Sequence, residues 1–176
     1  MPVISSHKDT SALTLTIVSE HDADVARVWQ IWEDPRQLER WWGPPTWPAT
    51  FDQHDLVPGG RSTYVMTGPQ GEKAGGWWKI LSVEPPRTFE FEDGFADDGQ
   101  GVPTTDTTRA TVTLEEADGA DSPDGAGSPD GAGGRTRMTI VTTFASLEHL
   151  DALVAMGMEE GMREAMGQID AVLAGS

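Results

Sequence analysis

The sequence predicts an α+β domain, and three observations carry that prediction. Strand-like segments run consecutively through the middle of the chain, two short helical patterns follow the first strand, and a long helical pattern closes the sequence. An antiparallel sheet with one apolar face needs a cover, and the C-terminal segment is the only element long enough to supply it. With 176 residues and a mass of 19.0 kDa, a single domain with a sizeable core is expected, spanning residues 13–174 behind a disordered tail at 1–12.

The elements follow in order. Leu13 to Val18 alternates apolar and polar residues as a half-buried strand does. Asp22 is placed to cap a helix in which Val25, Val28, Trp29 and Trp32 form an apolar stripe. Asp34-Pro35 ends that helix, and Pro35 opens a second short one reaching Trp42, which Gly43-Pro44-Pro45 stops. Strands are then expected at Phe51 to Val57, Gly60 to Thr67, Trp77 to Glu84, and Thr88 to Glu92, where Phe and Glu alternate. Thr108 to Glu116 sets Ala110, Val112 and Leu114 on one face, and Arg137 to Phe144 does the same with Met138, Ile140, Thr142 and Phe144. Between these two strands, Ala117 to Gly134 holds Ser-Pro-Asp-Gly-Ala-Gly twice in tandem, at Ser122 and Ser128. Nothing in that segment offsets the entropy of ordering it, so it reads as a flexible loop.

From Ser146 to about Ala174 the pattern is one long helix whose stripe includes Leu150, Val154, Met158, Met162, Ala165, Ile169 and Val172. Met158, Met162 and Met166 repeat every four residues, as do Gly157, Gly161 and Ala165. An interior glycine costs a helix about 1 kcal/mol relative to alanine. The glycines therefore imply a close approach to the helix backbone, by a strand or by a ligand.

Composition narrows function. Twelve basic against 29 acidic residues give a net charge of −17 and a pI near 4.3. Such a surface repels phosphate backbones and anionic lipid, so neither nucleic acid nor membrane is expected as a partner. There is no cysteine, hence no disulfide, thiol nucleophile or thiolate metal site. No run approaches transmembrane length and no apolar leader is visible, so a cytoplasmic location is expected.

The spaced motifs carry a resemblance. Asp34-Pro35 ahead of Leu38 and Trp41-Trp42-Gly43-Pro44, then Val57-Pro58-Gly59-Gly60-Arg61, Gly76-Trp77-Trp78-Lys79-Ile80, Val83-Glu84-Pro85-Pro86-Arg87 and Met156-Gly157-Met158-Glu159-Glu160-Gly161-Met162 are all present. With the element order, they make the chain similar to the START-like helix-grip superfamily, also called SRPBCC. More narrowly it resembles the branch named after the C-terminal domain of the heat-shock protein 90 ATPase activator. The resemblance spans about Leu13 to Leu173. It implies a curved antiparallel sheet of about six or seven strands wrapped round a long C-terminal helix, with two short helices after the first strand. It also implies a small apolar molecule held between sheet and helix. The tandem-repeat loop is the departure from the family pattern.

Seven tryptophans and seven methionines suit either a dense core or an apolar cavity wall. The expected ligand-binding residues are Trp41, Trp42, Tyr64, Met66, Trp78, Phe91, Met158 and Met162, with Tyr64 as polar anchor. Trp29 and Trp32 read as core. Trp77 and Trp78 must face opposite ways, and the sequence does not decide which points inward. Arg61 is placed to meet either a ligand carboxylate or a surface acid. Among His7, His21, His54 and His149, only His54 lies in a strand, with Asp52 on its face at i−2. That pair suits a general base or weak metal site, and equally a solvated strand face.

No catalytic set, metal site or cofactor motif is recognised. The first expectation is non-catalytic binding of a small hydrophobic or aromatic molecule. The second is an interaction module modulating a heat-shock protein 90-type chaperone in a stress response, motivated by the acidic surface and the family resemblance. It ranks below the first because the chain shows no counterpart of the activator's additional N-terminal domain. The third is a cyclase- or hydrolase-like enzyme using His54, Asp52 or Tyr64. Oligomeric state stays open.

Overall fold

The computed structural model describes residues 3–43, 45–96, 107–117, 134–155 and 157–174. The expected flexible loop at 117–134 falls almost wholly outside the described residues. Eight strands form one antiparallel sheet: β1 (Val3–Asp9), β2 (Thr14–His21), β3 (Ala49–His54), β4 (Arg61–Thr67), β5 (Lys73–Glu84), β6 (Thr88–Ala96), β7 (Thr108–Glu116) and β8 (Thr136–Thr143). Their order across the sheet is β1-β2-β8-β7-β6-β5-β4-β3. Helices α1 (Val25–Glu33) and α2 (Pro35–Leu38) connect β2 to β3, and α3 (Leu147–Ala155), α4 (Met158–Met166) and α5 (Ile169–Leu173) close the chain.

The expected α+β class stands, with three corrections to its detail. First, the sheet has eight strands rather than six or seven, because residues 3–9 are not a disordered tail. They pair with β2 in register from Ser5↔Val18 to Asp9↔Thr14, and Arg163 Nη1 of α4 donates to Ser6 Oγ at 2.8 Å. Second, the closing helix is three pieces, not one. Gly157 at φ +95° is left-handed and separates α3 from α4, a conformation glycine adopts without steric penalty. Third, Asp24 rather than Asp22 caps α1, its Oδ1 accepting from the Arg27 amide at 2.8 Å.

Alternation decides which side chains go inward. In β2, β7 and β8 every second residue is buried, so Leu15, Ile17, Val112, Leu114, Met138 and Ile140 form one apolar floor. Helix α1 lays Val28, Trp29, Ile31 and Trp32 on that floor. Arg27 Nη2 ties α1 to the terminal helix by donating to the Val172 carbonyl at 2.9 Å.

The aromatic residues mesh edge to face. Trp32 meets Trp41 at 4.7 Å and 86°, Trp42 meets Trp78 at 5.0 Å and 85°, and Trp78 stacks on Phe91 at 4.2 Å. Such offset and T-shaped pairs contribute about 0.5–1.5 kcal/mol each beyond burial. After α2 the chain turns rather than continuing as helix to Trp42, and Trp41 Nε1 donates to the Ile31 carbonyl at 3.0 Å. Gly43, at φ +100°, makes that turn possible, because a Cβ there would lie 2.5 Å from the Trp47 carbonyl oxygen.

Candidate functional site

Packing is incomplete on the inner side of the sheet. A cavity of about 270 Å³ lies between the strands β4, β6, β7 and β8, the Trp41-Trp42 turn, and the helices α3 and α4. An apolar cavity of ~150 Å³ is already large enough to stay dry and take up benzene. This one therefore has room for a larger aromatic molecule.

The sheet side supplies Tyr64, Met66, Phe91, Asp93, Ala110 and Ile140, and the helix side supplies Leu153, Gly157, Gly161, Met162 and Met166. Neither helical glycine is pressed by a strand, since a Cβ placed on Gly157 or Gly161 would meet nothing within 4 Å. Gly157 is exposed and held by its left-handed φ, so Gly161 alone is a glycine inside α4 facing open space in the cavity lining.

The residues expected around a ligand are largely brought together. Trp41, Trp42, Tyr64, Met66, Phe91 and Met162 line the cavity. Trp78 does not: it faces inward and is fully buried, but it stands behind the wall, stacked on Phe91. Trp77 takes the other face, its ring covering Gly94. The side chain of Met158 lies outside the described residues. Trp32, read as core only, is both core and part of the lining.

The polar groups are few and concentrated. Tyr64 is 4% exposed, and its hydroxyl donates to Asp93 Oδ1 at 3.4 Å. The ring fits because Gly76 lies opposite it in β5, where a Cβ would overlap the phenol. Asp93 was not anticipated, although strand parity places it inward after Phe89 and Phe91. Burial pushes its carboxyl up to about 7, against the lowering effect of the Tyr64 hydrogen bond. Burial, and then the Asp93 charge, hold the Tyr64 phenol well above its usual range. The indole N–H groups of Trp42 and Trp78 favour the Tyr64 oxygen electrostatically, yet neither closes a hydrogen bond among the described residues. Thr108, Thr142 and His149 complete the polar lining.

The other candidates lie elsewhere. Arg61 is exposed and outside the cavity, which removes it as a ligand-carboxylate contact. Asp52 and His54 do not share a face, because a bulge shifts the β3–β4 register between Phe51 and Gln53 and leaves Asp52 pointing outward. His54 turns in and is not solvated as a strand face would be. Its Nε2 donates to the Trp32 carbonyl at 2.6 Å, which leaves Nδ1 to accept from Ser62 Oγ at 2.7 Å. Burial holds its imidazole below the ordinary value. His54 is thus a structural link between α1 and β4, and an enzyme built on Asp52 and His54 has no access to the cavity.

One arrangement imitates a catalytic triad. Ser19 Oγ lies 2.8 Å from His21 Nε2, and His21 Nδ1 lies 3.1 Å from Asp170 Oδ1. Ser19 is 0% exposed, so no substrate reaches its hydroxyl, and the set is a buried tie between β2 and α5. No cluster of three potential metal ligands occurs among the described residues, and none of their helices is long and apolar enough to cross a membrane.

A curved antiparallel sheet closed by C-terminal helices over an apolar cavity defines the START-like helix-grip class. Residues 22–121, more than half of the chain, match the family described as Activator of Hsp90 ATPase homolog 1-like protein. The chain belongs to that family. It is 53% identical to a protein from Arthrobacter aurescens solved by NMR, covering 99% of this chain and 93% of that one with a TM-score of 0.86. A Mycobacterium smegmatis protein solved by crystallography is 47% identical over 98% of each chain, with a TM-score of 0.82. The AHSA1 protein of Silicibacter pomeroyi shares the fold at 20% identity, covering 92% of this chain and 97% of that one with a TM-score of 0.70. No curated protein matches the chain significantly.

Proposed function

We propose that this protein binds a small apolar or aromatic molecule, without transforming it, in the cavity between the sheet and the terminal helices. The observation that carries this reading is the hollow itself: about 270 Å³ walled by Trp41, Trp42, Met66, Phe91 and Met162, and left open by Gly161 on α4. A core with no such role gains free energy by filling a void of this size with leucine or methionine. Keeping glycine there instead forgoes that gain and the helix propensity of a larger residue.

The test uses 2-methylnaphthalene as probe. It is expected to raise the melting temperature of the wild type, and to leave that of Gly161→Leu unchanged because the new side chain occupies its space. Equal responses from the two proteins, or none from either, contradict the reading.

The chaperone-modulating alternative draws on the family name and on the net charge of −17. Among the described residues, Val57 and Leu147 are the exposed large hydrophobics, which gives a client protein little apolar surface. No response to apolar probes, together with capture of heat-shock protein 90 by the full chain, would turn the balance toward it.

A further inference from the structure

The polar end of the cavity carries more information than its apolar walls. Asp93 follows Phe89 and Phe91 on the inner face of β6, opposite Trp78 on one side and Thr108 on the other. An ionised carboxylate offers about four acceptor positions. Among the described residues Asp93 fills one, with a Tyr64 hydroxyl that at 3.4 Å is at the long limit of a hydrogen bond. Its remaining lone pairs face a space walled by tryptophan, methionine and phenylalanine.

Charge in the lining is one-sided. The titratable groups there are Tyr64, Asp93 and His149, and no lysine or arginine is present among the described lining residues. A ligand carboxylate would therefore meet another carboxylate with no lysine or arginine to offset it, its available donors being the unpartnered Trp42 indole N–H and His149. A pure hydrocarbon would fill the walls and leave the half-buried Asp93 with the long Tyr64 hydrogen bond as its one partner among the described residues, a poorly compensated arrangement for an ionised group. A ligand bearing a hydrogen-bond-donating cation satisfies both ends at once, because N⁺–H to carboxylate bonds are short and strong.

We infer that the cavity is selective for an aromatic or apolar primary amine, its ring between Trp42, Met66 and Met162 and its ammonium group on Asp93 beside the Tyr64 hydroxyl. This deepens the ligand-binding reading above and rests on it. Asp93 fixes the polar end of the ligand, and Tyr64 holds one carboxylate oxygen so that the other meets the amine. The apolar walls set size and shape.

Three probes of one shape separate the possibilities: 2-naphthylmethylamine, 2-methylnaphthalene and 2-naphthoic acid, titrated into the full chain at pH 8 and followed by tryptophan fluorescence. The amine is expected to bind about tenfold more tightly than the hydrocarbon, the scale of one charge-assisted hydrogen bond, with the acid weakest. In Asp93→Asn the amine is expected to lose its advantage over the hydrocarbon, because the carboxylate that distinguishes the two probes is gone.

Equal binding of amine and hydrocarbon by the wild type overturns the inference, and that comparison needs no variant to fold. An amine preference that survives in Asp93→Asn overturns it as well, as does tightest binding of the acid. Binding of the hydrocarbon without preference for the amine leaves the cavity reading standing and removes only the amine. Failure of all three probes removes both.

Discussion

Asp170, on the last helix, accepts from His21 Nδ1 at 3.1 Å, and so joins the end of the chain to the strand beside its beginning. The imidazole is 1% exposed and its other nitrogen accepts from Ser19 Oγ. Both bonds are made by the neutral ring carrying its proton on Nδ1. Burial is the main cause holding His21 below the ordinary imidazole value, partly opposed by Asp170.

A pH dependence of stability follows from that burial. His21 is lowered in the folded protein, so below about pH 6.5 the unfolded chain takes up a proton that the native state does not. Stability is therefore complete above that pH and is lost as pH falls below it. His54 is lowered too and acts in the same direction. In His21→Gln the loss between pH 6.5 and pH 5 is expected to be smaller than in the wild type, measured by urea unfolding at each pH. Asp170→Ala is expected to cost about 1–2 kcal/mol at pH 7.

Asp93 has the opposite sign. Its carboxyl is raised to about 7 from 3.8, so folding disfavours the charged form above that range. The destabilisation is present in full above pH 7 and disappears as pH falls below the unfolded value. Asp93→Asn is expected to raise the melting temperature at pH 8 by a few degrees, about 2–4 °C for each kcal/mol in a domain of this size. The advantage is expected to shrink steadily from pH 7 to pH 4. Thermal melts across pH 4–8 check both halves.

Gly161→Leu removes an interior helical glycine, worth about 1 kcal/mol, and places a leucine in apolar space where a Cβ meets nothing within 4 Å. Burying that side chain adds about 1.5–3 kcal/mol at most. The variant is expected to melt higher than the wild type and to lose binding of 2-methylnaphthalene, as a site that gives up stability for function should. A lower melting temperature would mean the space is already filled.

Gly43→Ala goes the other way. The residue sits at φ +100°, and its new Cβ would lie 2.5 Å from the Trp47 carbonyl oxygen, so the turn carrying Trp41 and Trp42 must shift. A loss of about 1–3 kcal/mol is expected, with weaker probe binding because Trp42 lines the cavity. Denaturant unfolding and tryptophan fluorescence read the two effects separately.

Much of this architecture is legible in the residues, and the exceptions have physical reasons. Strands β2, β7 and β8 show their inward faces because Leu15, Ile17, Ala110, Val112, Leu114, Met138 and Ile140 recur at every second position, between neighbours that are mostly threonine or charged. Strand β1 escapes notice because Ser5-Ser6-His7-Lys8-Asp9 has no apolar alternation, and it is a strand through backbone pairing with β2. The β3 bulge leaves no mark in composition, and with it the relation between Asp52 and His54 is lost. Gly157 is visible as a costly residue in a helix, but its left-handed conformation, which splits that helix, is a property of the folded chain.

The cavity wall was more readable than its polar end. Trp41, Trp42, Tyr64 and Met66 advertise themselves by size or rarity. Asp93 hides at the end of Glu90, Glu92 and Asp93, a run of acids that reads as solvated surface. The signal that finds it is parity, since Phe89 and Phe91 fix the inner face and Asp93 falls two residues further along it.

The most direct test of the hollow is a crystal of the wild-type protein pressurised with xenon, which enters apolar space that water leaves empty. Xenon density is expected between Trp42, Met66, Gly161 and Met162. If those side chains are interlocked and xenon is found only at the surface or not at all, there is no cavity to bind anything, and the functional reading is contradicted.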